Sequence, residues 1–78
     1  MPYINAEDRR PVSIAPVTVG ELNYFLTILC RNYYCGKGCS YQTYNDVIGA
    51  LEACKLELYR REVAPYEDKK IQENGDVY

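Results

Sequence analysis

The stretch from Tyr44 to Ala64, YNDVIGALEACKLELYRREVA, most limits what this chain can fold into. Val47, Leu51, Cys54 and Leu58 recur at helical spacing, and Ile48, Leu56, Tyr59 and Val63 widen the stripe. So broad an apolar arc predicts a helix touched on more than one side. Gly49 sits inside it, where glycine costs about 1 kcal/mol against alanine and allows close approach by another helix or a second copy. Ser40, or Thr43 with Asp46 in capping-box spacing, would start this helix, predicted over 41–64.

The flanking segments are read against that helix. Thr18 and Glu21 form a second capping-box pair ahead of Leu22, Phe25, Leu26, Leu29 and Tyr33. These predict a helix over 20–34, ended by Gly36 and Gly38. Before it, Pro2, Pro11 and Pro16 exclude a central strand, so residues 1–19 read as an extended arm. Ile4, Val12, Ile14 and Val17 would be its anchors on a helical surface. Pro65 breaks or bends the second helix, and residues 65–74 form a short polar helix or a bent continuation, stopped by Asn74 and Gly75. The expected fold is all-α, one domain over 1–78: a small helical hairpin with an extended N-terminal arm and a short C-terminal helix. At 78 residues its own core is marginal, which predicts a homo-oligomer.

Composition narrows the chemistry. The formal charge of −2 disfavours charge-driven binding to duplex nucleic acid or to anionic membranes. No apolar run approaches the ~20 residues of a membrane span. MPYINAEDRR lacks the features of a secretory leader, so the expected location is the cytoplasm, with reduced cysteines. The absence of histidine rules out a Ser-His-Asp or Cys-His arrangement within the chain, and there is no phosphate-cradling loop. The expectation is a protein that is not an enzyme and needs no cofactor.

Three clusters remain. Cys30, Cys35, Cys39 and Cys54 invite a zinc reading, but in a hairpin Cys54 falls about 13 Å beyond the point opposite Cys30, too far for one site. Cys35 and Cys39, on either side of GKG, stay open as a disulfide or half an intermolecular metal site, and Cys54 reads as a small core residue. Glu67 and Asp68 read as helix-start charge patterning more simply than as a cation site. The third cluster is the junction LELYRREVAPYEDKK. It places Tyr59, Arg60, Arg61, Tyr66, Lys69 and Lys70 within twelve positions. Arginine forks suit phosphate and tyrosine faces suit bases, which makes these six the candidate ligand-binding residues. The plainer alternative is an exposed face on which Glu57, Glu62 and Glu67 neutralise the arginines.

GELNY at 20–24, YNDVIGALE at 44–52 and LYRREVAPYEDKKIQENGDVY at 58–78, with the MPYI start, resemble a small uncharacterised protein family of phages, prophages and bacteria. That family carries a helical segment after MPYI, where PVSIAPVTV stands here. The resemblance implies a setting and no established activity. In that setting the expected function is a non-enzymatic binding protein that sequesters a cyclic nucleotide signal of host defence. The alternative is a protein–protein adaptor or inhibitor, or a structural phage component, acting through a Tyr-rich surface.

Overall fold

The computed structural model describes residues 5–8 and 15–78. All regular structure among them is helical, with no strand. A 3₁₀ turn, Ala6–Asp8, precedes three α-helices: α1 (Val19–Lys37), α2 (Tyr41–Leu58) and α3 (Ala64–Asn74). A π-helical segment, Tyr59–Val63, joins α2 to α3. No helix among the described residues is long and apolar enough to cross a membrane. The chain divides into two compact units, residues 1–48 and residues 49–78, with the division inside α2.

In the first unit the caps decide where the helices begin. The Glu21 N–H donates to Thr18 Oγ1 at 3.0 Å, and Glu21 Oε1 accepts from the N–H groups of Thr18 and Val17 at 3.2 and 2.9 Å. This capping box satisfies amides that the first helical turn leaves without carbonyl partners. α1 runs through Gly36 to Lys37, a turn further than glycine content alone predicts. Gly38, at φ 100°, is the residue that leaves the helix, and its N–H donates to the Tyr34 carbonyl at 2.8 Å. α2 then starts on Ser40. The Thr43 N–H donates to Ser40 Oγ at 3.2 Å, and the Ser40 N–H donates back to Thr43 Oγ1 at 3.0 Å. The Thr43 hydroxyl reaches the Gly38 carbonyl at 2.8 Å. Asp46 is therefore no capping partner of Thr43; it accepts from the Tyr33 hydroxyl at 2.9 Å and from Gln42 Nε2 at 2.8 Å. Tyr34 and Tyr44 meet edge to face, with ring centres 5.1 Å apart.

The second unit turns on Pro65. Proline lacks an N–H, and its ring strikes the carbonyl four residues back in an α-helix. Here the preceding turn is widened, and the Ala64 N–H donates to the Tyr59 carbonyl, five residues back. The helical path continues through the proline instead of breaking. α3 ends on Gly75, at φ 88° and ψ 152°, a conformation nearly reserved for glycine.

Thr43, 8% exposed, is the one buried residue among those described, and no apolar side chain among them is buried. On α1, Phe25 and Ile28 are half-buried, while Leu22, Leu26, Leu29 and Tyr33 are exposed. On α2, Val47 and Ala53 are half-buried, and Ile48, Leu51, Leu56 and Leu58 are exposed. Cys54, expected in the core, is exposed, because nothing among the described residues covers its side of α2. Of the arm's anchors, Val17 is 88% exposed and so is not docked; Ile4, Val12 and Ile14 lie outside the described residues.

Candidate functional site

The junction predicted from the sequence separates into two surfaces. On one, Glu57 gathers both arginines. Its Oε1 accepts from Arg60 Nη2 and from Arg61 Nε, which stand three and four residues further along. The Glu57 side chain is 20% exposed and both guanidinium groups are mostly in solvent. Hydrogen bonds from Arg61 and then Arg60 hold the Glu57 carboxyl below its usual range. Of the three acids expected to neutralise the arginines, Glu57 pairs with both.

On the other surface, an open groove of about 590 Å³ is lined from within residues 59–78. Tyr59 and Tyr66, the acidic Glu67 and Asp68, and Lys70 are among its lining residues. Arg60, Arg61 and Lys69 do not line it. The Tyr59 hydroxyl donates to Glu67 Oε1, and that hydrogen bond, with burial and the carboxylate's charge behind it, raises the Tyr59 phenol above its usual value. Lys70 Nζ stands 5.5 Å from the centre of the Tyr66 ring and 3.2 Å from Glu73 Oε2.

The rest of the groove comes from residues the sequence reading passed over. Asp76, Val77 and Tyr78 line it together with α3. Gly75 turns the chain after α3, and the Tyr78 N–H donates to Asp76 Oδ1 at 2.9 Å, an Asx-type turn. Asn74-Gly75 followed by Asp76 is the available signal: the pair marks more than a stop, since an Asx residue directly after it can fold the tail.

Within the chain the cysteines form no disulfide. All four are free thiols; Cys35 and Cys39 are exposed, Cys30 half-buried. No three Cys, Asp, Glu or His side chains among the described residues gather as metal ligands would. The Tyr44 phenol is raised above its usual value by the neighbouring Cys39 side chain, with burial adding to it.

A family model described as a domain of unknown function (DUF6899) matches residues 1–77, from the arm through most of the tail. No curated protein and no solved structure matches the chain.

Proposed function

The chain belongs to this family of unknown function, and we propose that it is a small non-enzymatic binding protein of phage or prophage type. It works in the host cytoplasm by contact with other polypeptides through its Tyr- and Leu-rich faces. The observation behind this is that no apolar side chain among the described residues is buried. Leu22, Leu26, Leu29, Ile48, Leu51, Leu56, Leu58 and Ile71 are instead at least 39% exposed, on helices with good periodicity. Burial of one such side chain contributes about 1.5–3 kcal/mol, and helices draw most of their stability from packing an apolar face. These faces find their cover on another chain, first a second copy of this one and then a host partner.

Nucleotide sequestration, the other expectation, draws on Tyr59, Arg60, Arg61 and Tyr66. Glu57 holds both guanidinium groups, so a phosphate has to displace a carboxylate already in place. Protein contact also accounts for the unburied apolar faces, which nucleotide binding leaves uncovered, and is preferred.

Sedimentation velocity over a broad range of concentration tests this. An oligomer whose thermal midpoint rises with concentration is expected. A monomer that unfolds cooperatively at a concentration-independent midpoint overturns it. Saturable heat on titration of that monomer with cyclic nucleotides then favours sequestration.

A further inference from the structure

The groove at residues 59–78 is aromatic and acidic at once. Glu67, Asp68 and Asp76 bring three carboxylates and Lys70 one ammonium, an excess of two negative charges. That balance repels phosphates and other anions. A neutral apolar ligand would strip water from carboxylates without replacing it, which is costly. A chelated metal ion is disfavoured too, since no three acidic or thiol side chains among the described residues stand close enough together to hold one.

A side-chain-sized organic cation meets each condition. Carboxylates give it charge-assisted hydrogen bonds, and tyrosine faces attract it through the ring quadrupole. The protein already places one cation this way, with Lys70 Nζ on the face of Tyr66. Lys70 also has a second partner in Glu73, so an incoming cation can take the ring while Lys70 stays paired. The volume, about 590 Å³, is in the range of sites that hold peptide side chains or small ligands.

We propose that this groove binds the guanidinium or ammonium side chains of a basic peptide segment of a partner protein, with Asp68 and Asp76 as charge partners and Tyr66 as the stacking face. The proposal gives the chemistry of the partner in the protein-contact reading and rests on it. The groove is lined by one chain, so its test does not depend on oligomeric state.

The test titrates the full chain with acetyl-Gly-Arg-Arg-Arg-Gly-amide, its triglutamate counterpart and spermidine, followed by NMR shifts of Tyr59, Tyr66 and residues 74–78. The arginine peptide is expected to move these resonances saturably and to bind about tenfold or more tighter than either control. Asp68→Asn with Asp76→Asn should weaken it by about tenfold, and Tyr66→Leu by severalfold, with circular dichroism unchanged. Equal binding of the glutamate peptide, unchanged affinity in the double variant, or no saturable binding by folded protein overturns the proposal. Spermidine binding as tightly as the peptide overturns the assignment to a peptide. Oligomeric state is measured on the same samples, so loss of peptide binding from an intact oligomer sinks this proposal and leaves the broader one standing.

Discussion

Two connections between helices differ in kind. At residues 38–40 the helix stops and restarts. Gly38 takes the left-handed exit, and Ser40 and Thr43 exchange neutral hydrogen bonds that close the new N-terminus. At residues 59–65 the helical path never stops; it widens by one residue to pass a proline. The first is held by backbone satisfaction around the one buried residue among those described. The second carries charged pairs whose cations stand in solvent, the half-buried Glu57 with two arginines and, on α3, Lys70 with Glu73. Exposed pairs contribute little and exchange easily. A rigid turn and an exchangeable surface thus stand at the two connections, and the exchangeable one is where a partner can be accommodated.

The contrast breaks most sharply at Thr43. Thr43→Val keeps the shape and removes the hydroxyl, leaving the Ser40 N–H and the Gly38 carbonyl without that partner. The expected loss is about 2 kcal/mol, read by denaturant unfolding at fixed protein concentration. If the loss equals that of an exposed surface substitution, the turn is no firmer than the junction and the contrast fails.

How far these connections could be read in advance follows from the range of the forces. The Thr18–Glu21 cap and the stripes of α1 and α2 are local patterns, and the residues carrying them are adjacent on any helix. Glu57 with Arg60 and Arg61 is local too, three and four residues apart, and was visible as the plainer alternative. In the sequence the start of α2 stays open between Ser40 and Asp46 because Thr43 has two possible partners at the same spacing, and only the position of Gly38 decides for Ser40. Cys54 is exposed where its place on the apolar stripe predicts core, because periodicity says which residues share a face and nothing about what covers it. The groove was half legible: Tyr59, Tyr66 and Lys70 were found, while Asp76 and Tyr78 arrive through a turn that Gly75 alone permits.

Glycines sharpen the comparison at a smaller scale. Gly36 and Gly49 lie inside helices, and beyond the chain neighbours and the helix's own backbone no described atom lies within 4 Å of a methyl added at either. Within one chain, alanine at each should therefore stabilise by about 0.5–1 kcal/mol. A raised thermal midpoint for both is the expected result. If Gly36→Ala raises it and Gly49→Ala lowers it, a second copy crosses α2 at Gly49 and the close approach is intermolecular.

The smallest effect is expected at Glu57, where it is separable by its pH dependence. Arg61 and Arg60 lower the folded-state pKa of Glu57 below its ordinary 4.5. A depressed carboxyl contributes stability above the unfolded-state pKa, because there both states are ionised and only the folded one has the guanidinium partners. The contribution falls as pH drops from that value through the lower folded-state pKa, and it is gone when both states are protonated. Wild type and Glu57→Gln should therefore differ by a constant small amount from neutral pH down to about 4.5 and converge below it. Thr43→Val, which touches no titrating group, should keep its full deficit across the same range. If the Glu57→Gln difference persists in acid, its origin is packing at the half-buried stem and not charge. The junction would then be built like the turn, and its arginines would not be available for exchange.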